Sequence, residues 1–264
     1  MLIDSNAYIG HWPFLQLQYA TCKGLLQKMD SYGVDRSVIS NINSIFYKNV
    51  QSGNEELYNE IQSRKQFANR FIPFAVINPC YAGAMDDLEI CHREFGMKGI
   101  RLYPKYHDYA LTDPACLALT RRARDLGMVV ALTLRMVDFR QRSWLDIKEE
   151  WSLRDVMPLI RAVPDAKFMI LNIANGPVLS EEDTALFRKT NVLMDTSGRA
   201  LINLPDLLSR YGETKFAFGT HAPVQDYLTG LLRIDSLRDS EVSPHVRSLM
   251  RSENVRRMLE LQGK

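Results

Sequence analysis

The chain lacks any apolar run near the roughly 18 residues that a membrane-spanning helix requires, so nothing in it predicts a membrane protein. Excess charge of one sign is also missing. The 33 Lys and Arg against 31 Asp and Glu leave a net charge of +2. That balance excludes an electrostatic footprint for nucleic acid or an anionic membrane surface. The four cysteines (Cys22, Cys80, Cys91 and Cys116) are scattered without the paired spacing of a metal site. No basic, apolar leader opens the chain. The cysteines are therefore expected to be reduced thiols in a cytoplasmic protein. No G-x-G-x-x-G follows the first strand, so a dinucleotide fold is unsupported. There is no internal repeat, linker or low-complexity segment.

What is present is an ordinary globular balance, with 46% hydrophobic and 24% charged residues over 264 positions. That length suits a (β/α)8 barrel folding as one domain, which takes about 250 residues. Short β-branched runs alternate with helical patterns along the whole chain. The first strand is Leu2-Ile3-Asp4-Ser5-Asn6-Ala7-Tyr8-Ile9. Further strands are expected over 37–42, 71–77, 98–104, 128–134, 167–173, 191–196 and 215–220, with helices between them. Pro73 suggests that the third strand begins after it, because proline cannot donate to a ladder. The charged stretch from Arg135 to Glu150 holds Trp144 and is long enough to be a lid or an active-site wall. About eight strands, each followed by a helix, predict a (β/α)8 TIM barrel. Near-continuous apolar strands fit a parallel sheet buried on both faces. The alternative is an open doubly wound sheet, which usually has fewer strands.

In such a barrel the residues closing the C-terminal ends of the strands face the pocket. Here that set is Asn6, Tyr8, Asn41, Asn78, Arg101, Tyr103, Thr133, Arg135, Asn172, Asp195 and His221. It predicts a polar pocket with net basic character. Arg101, Lys105 and Arg135 are candidates to clamp a carboxylate or phosphate, because guanidinium forks match planar anions. His107 reads as a solvated loop residue, and His92 and His245 as outer-face helix residues. Cys80 could face the pocket from the end of the third strand.

Several segments, in order, resemble the amidohydrolase-related (amidohydrolase 2) family of TIM-barrel metal hydrolases. Leu2 to Gly10 is similar to that family's Ile-Asp-x-His-x-His opening strand. Gly99-Ile100-Arg101-Leu102-Tyr103-Pro104 resembles its Gly-(Ile/Phe)-(Lys/Arg)-Leu-His-Pro. Asn191-Val192-Leu193-Met194-Asp195-Thr196-Ser197 resembles its Asn-Val-Tyr-x-Asp-x-Ser, and Phe218-Gly219-Thr220-His221-Ala222-Pro223 its Phe-Gly-(Ser/Thr)-Asp-x-Pro. Ser252 to Leu259 is similar to its closing helix. The resemblance implies the barrel fold and a metal-dependent hydrolase ancestry. It also implies a metal held by two first-strand histidines, one histidine each on the fifth and sixth strands, and an eighth-strand aspartate. In this chain those places carry Asn6, Tyr8, Thr133, Asn172 and His221. Only His221 is a ready ligand for a zinc-like ion, and His11 lies in the loop just beyond the first strand. The expectation is therefore a lost metal site and no cofactor.

Each remaining candidate has two readings. His221 could activate water as a base, or it could hydrogen-bond Asn172 or Tyr8 and fill the vacated space. Asp195 could orient it, or be structural. Tyr8 could act as an acid or oxyanion donor, or plug the cavity. Asn6 and Asn172 could bind a ligand carboxylate with Tyr103, Thr133 and Arg135, or replace histidines as mutual partners. Arg101 could clamp an anion, or form a salt bridge with Asp4 or Asp195. Two functions compete. One is a metal-independent hydrolase of a small carboxylated ester, lactone or amide with His221 as base. The other is a non-catalytic barrel that binds a small anionic molecule or a partner subunit. An intact metal-dependent hydrolase or decarboxylase ranks third. Homo-oligomerisation suits such barrels, but no segment marks an interface.

Overall fold

The computed structural model describes residues 1–137, 142–173, 178–198, 201 and 203–261. Eight parallel strands run in sequence order around a barrel: β1 (Ile3–Ile9), β2 (Arg36–Asn41), β3 (Phe71–Val76), β4 (Gly99–Leu102), β5 (Val129–Thr133), β6 (Lys167–Leu171), β7 (Asn191–Asp195) and β8 (Phe216–Ala217). The barrel closes through residues just beyond the short β8. Ser5 N donates to Phe218 O at 2.8 Å, His221 N to Asn6 O at 2.7 Å and Tyr8 N to Ala222 O at 2.7 Å. This is the expected (β/α)8 TIM barrel.

The helices begin where polar side chains can satisfy free amides. α1 (Cys22–Ser31) is capped by Thr21 Oγ1, which accepts from Gly24 N at 3.2 Å. α2 (Asn43–Phe46), α3 (Val50–Gln62) and α4 (Lys65–Arg70) occupy the stretch where the sequence predicts a polar loop and one helix over 54–67. α5 (Ala84–Arg93), α6 (Pro104–His107) and α7 (Pro114–Asp125) follow; Asp113 caps α7 and Pro114 opens it. α8 (Leu153–Ala162) opens on a Ser152–Asp155 capping box. α9 (Glu181–Lys189), α10 (Leu204–Tyr211), α11 (Tyr227–Asp235) and α12 (Pro244–Ser248) follow, and α13 (Asn254–Met258) packs against the end of the barrel interior. No helix among the described residues is long and apolar enough to cross a membrane.

Pro73 lies inside β3 rather than before it. Its carbonyl accepts from Lys98 N at 3.0 Å, and β4 begins only at Gly99. The missing N–H thus falls below the end of that ladder, where no partner is needed. Gly99 is required by packing. A Cβ there would lie 2.5 Å from the Phe74 ring and 2.6 Å from Val129 O.

Three apolar clusters divide the interior. The largest joins the strands to the surrounding helices. A second fills the barrel with Ile3, Val38, Phe74, Ala131, Met169 and Leu193, and Val255 and Met258 of α13 join it. A third occupies the mouth, where Tyr8, Trp12, Val76, Tyr103, Met136 and Val137 pack together. A register shift between Asp4 and Ala7 in β1 resets the alternation. Ile3 therefore faces the barrel interior, and so do Asn6 and Tyr8.

Candidate functional site

The inward columns of the barrel end in a buried polar centre. Asn6 lies at its middle, fully buried. Its Nδ2 donates to Asp195 Oδ2 at 2.7 Å and contacts His221 Nδ1 at 3.1 Å and Ser197 Oγ at 3.3 Å. Its Oδ1 accepts from Arg101 Nη1 at 2.9 Å. One carboxamide thus links a cation on β4 to a carboxylate on β7.

His221 is fully buried and has both ring nitrogens engaged. Nε2 lies 2.7 Å from Met136 O, an acceptor only, so Nε2 carries the proton. Nδ1 is then the acceptor for Asn6. Burial is the largest cause pushing the imidazole down from 6.5 to about 3, and Arg101 and Arg135 add to it. The ring is neutral at physiological pH, with Tyr8 edge-on to it at 5.1 Å between centroids.

Arg101 is fully buried and makes neither of the expected salt bridges; among the described residues no carboxylate lies within ion-pair distance of it. Its guanidinium instead spans Asn6 Oδ1, Ala7 O at 3.2 Å and Val38 O at 3.5 Å, with its carbon 4.2 Å from the Tyr8 ring centroid. The aromatic face and the carbonyl dipoles take the place of a counter-ion. Asp195 is raised above the ordinary carboxylate range, chiefly by burial, against hydrogen bonds from Ser197, Asn6 and the Asn172 amide that favour its charge. Arg233, from α11, attracts it and donates to Thr196 O at 2.6 Å.

Tyr8 Oη meets Thr133 Oγ1 at 3.1 Å. Tyr103 is buried beside Tyr8 and Arg101. Asn172 joins the β6 end to Arg135, with Nδ2 donating to Arg135 O at 2.7 Å. Asn172 and His221 both have positive φ, 49° and 60°, a conformation uncommon outside glycine and frequent at functional sites. Tyr103, Thr133, Arg135, Met136, Lys105 and Glu149 border a cavity of about 30 Å³, room for one or two water-sized molecules.

The structure therefore brings together Asn6, Tyr8, Arg101, Tyr103, Thr133, Arg135, Asn172, Asp195 and His221. It leaves out Asn41, whose amide turns to Gly53 O and Glu56, and Asn78, which accepts from Cys80 N at 3.1 Å. Cys80 is exposed. His107 is half-buried in α6 rather than solvated, with Nε2 donating to Ile45 O at 3.1 Å and burial lowering its pKa. Ser197 and the Met136 carbonyl, absent from the sequence reading, complete the centre. Ser197 sits in the strand-end motif and could have been found there. A backbone carbonyl on a long loop leaves no sequence signal. Of that loop, residues 138–141 lie outside the described residues.

A parallel eight-stranded barrel with its polar side chains gathered at the C-terminal strand ends is the architecture of a large class of barrel enzymes. The chain belongs to the amidohydrolase family, whose sequence profile matches residues 33–261. No curated protein matches the sequence. Among solved structures it is similar to 2,6-dihydroxybenzoate decarboxylase complexed with 2,6-dihydroxybenzoate, at 15% identity and a TM-score of 0.74 over 100% of both chains. It is also similar to dihydroxybenzoic acid decarboxylase from Polaromonas with bound manganese and the inhibitor 2-nitroresorcinol, at 14% identity and a TM-score of 0.75, covering 100% of this chain and 98% of that one. A third is 4-oxalomesaconate hydratase from Rhodopseudomonas palustris, at 16% identity and a TM-score of 0.69, covering 98% of this chain and 96% of that one. Identities this low speak to the fold alone.

Proposed function

We propose that this chain is a metal-free amidohydrolase-family barrel that binds a small carboxylate at its mouth. The observation that carries the reading is the state of His221, whose two nitrogens are already bound to Met136 O and Asn6. The other inherited ligand places, Asn6, Tyr8, Thr133 and Asn172, offer carboxamide and hydroxyl oxygens. Arg101 puts a fixed positive charge among them. Among the described residues no three His, Cys, Asp or Glu side chains converge as metal ligands. This donor set does not fit a zinc- or manganese-type ion.

The carboxylate assignment rests on particular cations and hydroxyls at the mouth rather than on net charge. Among the described residues Lys105, Arg135 and Arg142 are balanced by Asp146, Glu149 and Glu150, so the cavity is not the net basic pocket that the sequence predicts. Arg135 and Lys105 border the cavity, and Tyr103 and Thr133 supply hydroxyls beside them. The solved relatives are named for carboxylated compounds, dihydroxybenzoates and oxalomesaconate, which supports the ligand class. A second reading, metal-independent hydrolysis of an ester or lactone, is favoured by one feature. The His221 tautomer leaves Nδ1 as a lone-pair acceptor in a chain leading through Asn6 to Asp195. Such a base must first release Asn6, and its low pKa makes it a weak one.

Two measurements test the proposal together. Elemental analysis of protein purified without chelator, from medium supplemented with zinc and manganese, is expected to find no stoichiometric metal. Titration with benzoate is expected to give saturable binding that Arg135→Ala weakens at least tenfold, the scale of a lost charge-assisted contact. Stoichiometric metal that disappears in His221→Ala would overturn the metal-free assignment. Lactone turnover abolished in His221→Gln would favour the hydrolase.

A further inference from the structure

Two hollows meet at one side of the mouth. The cavity of about 30 Å³ and a surface groove of about 720 Å³ share Pro104, Lys105, Ile147, Glu149 and Trp151 as walls. The charged part of that partition is an ion pair, Lys105 Nζ to Glu149 Oε2 at 2.5 Å. Lys105 Nζ also lies 5.8 Å from the Trp151 ring centroid. One residue further on, Glu150 Oε1 lies 3.9 Å from Arg135 Nη1, with the two side chains 13% and 3% exposed. The segment is pinned to the barrel where Trp151 N donates to Leu134 O at 3.2 Å. Consecutive glutamates therefore hold carboxylates against Lys105 and Arg135, two of the three cations among the described residues that border the cavity; the third, Arg142, donates to Lys148 O at 2.9 Å.

Tethered groups of this kind compete at high effective concentration with any free ligand of the same chemistry. We infer that Glu149 and Glu150 are internal stand-ins for the two carboxylates of a small dicarboxylic acid, which enters from the groove and displaces them from Lys105 and Arg135. The inference rests on the carboxylate-binding reading above. It adds the number of carboxylates, the entrance and a built-in competitor. A monocarboxylate relieves one pair and leaves the other closed. A dicarboxylate replaces both, so neither cation is left without a counter-ion. Glu149, 70% exposed, passes into water when displaced.

The test is calorimetric titration of the full chain with isophthalate and with benzoate. The Glu149→Gln/Glu150→Gln variant is expected to bind isophthalate about tenfold more tightly than the parent, and benzoate no more than about threefold more tightly, the scale of partly exposed ion pairs. Glu149→Gln alone, at an exposed position, is expected to give about threefold for isophthalate; it carries the test if the double variant misfolds. Lys105→Ala should erase the preference for isophthalate over benzoate. Glu94→Gln, at the exposed C-cap of α5, should change nothing. Unchanged or weaker isophthalate binding in glutamine variants that melt like the parent overturns this inference and leaves the carboxylate reading intact. Failure of parent and variants alike to bind either acid overturns both.

Discussion

Asp4 and His221 are both fully buried, and their protons run in opposite directions. The Asp4 carboxylate accepts from Asn6 N at 3.0 Å, Thr220 N at 3.0 Å and Thr220 Oγ1 at 2.6 Å. Burial still raises it from 3.8 to about 7. A carboxyl raised on folding stabilises the fold at low pH and loses that contribution as pH rises from about 4 to 7. His221, lowered to about 3 from 6.5, stabilises the fold above 6.5 and loses its contribution as pH falls. Between about pH 4 and 6.5 the two slopes, each roughly 1.4 kcal/mol per pH unit, cancel. Single variants should uncover them. Relative to the parent, Asp4→Asn should gain stability with rising pH across this window and His221→Gln should lose it. Urea unfolding at half-unit steps reads the difference, and parallel curves for parent and variants would refute the assignment. Arg101 makes a second residue-scale case. Replacing it with Met removes three buried hydrogen bonds and its stacking on Tyr8. The expected loss is about 2–4 kcal/mol. Arg101→Lys should recover little of it, because one ammonium cannot reach Asn6 and Ala7 while lying over the ring. Full recovery by Lys would mean that charge alone matters there.

At the scale of elements, one tight joint is the start of β4. Gly99→Ala drives a Cβ into the Phe74 ring and the Val129 carbonyl and is expected to cost about 2–3 kcal/mol. Adding Phe74→Leu should return only part of this, since the backbone contact stays. A neutral Gly99→Ala would show that β4 can slide. Strands with strong apolar patterns, such as Val129–Thr133 and Lys167–Leu171, were legible in the sequence to within about two residues, because burial on both faces leaves few alternatives. β8 was not. The apolar and small residues that follow Lys215, up to Thr220, suggest a full strand, yet only Phe216 and Ala217 pair regularly. Thr220 and His221 turn away to meet Asp4 and Asn6, an outcome set by tertiary partners rather than by local pattern. The same holds for the site. Strand-end position pointed to Asn6, Tyr8, Thr133, Asn172, Asp195 and His221. Alternation accounts for Thr133 and Asp195, whereas Asn6 and Tyr8 follow a register shift and Asn172 follows the inward Leu171 at a positive φ, neither of which a period-two pattern shows. The Met136 carbonyl and the Glu149–Glu150 pair come from the long connection between β5 and α8, where no periodicity constrains the chain.

Across the whole molecule, the barrel is sealed at both ends by different means. Val255, Met258 and Leu259 pack against the lower interior, so the C-terminal helix acts as a floor. The mouth is held by Trp12, Met136 and Val137 packed on Tyr8 and Tyr103, around the hydrogen bonds that converge on Asn6. If this network supplies the cohesion that a metal would otherwise supply, the melting temperature should be indifferent to metal and responsive to carboxylate. A ligand at a hundred times its dissociation constant stabilises by about 2.7 kcal/mol. For a chain of this size that corresponds to a rise of roughly 5–10 °C. Calorimetric melts with chelator, with zinc or manganese, and with saturating isophthalate are therefore expected to coincide in the first three conditions and to shift upward only in the fourth. A shift with manganese that His221→Gln abolishes would place an ion at the barrel mouth, overturn both metal-free readings and bring back the metal-dependent hydrolase.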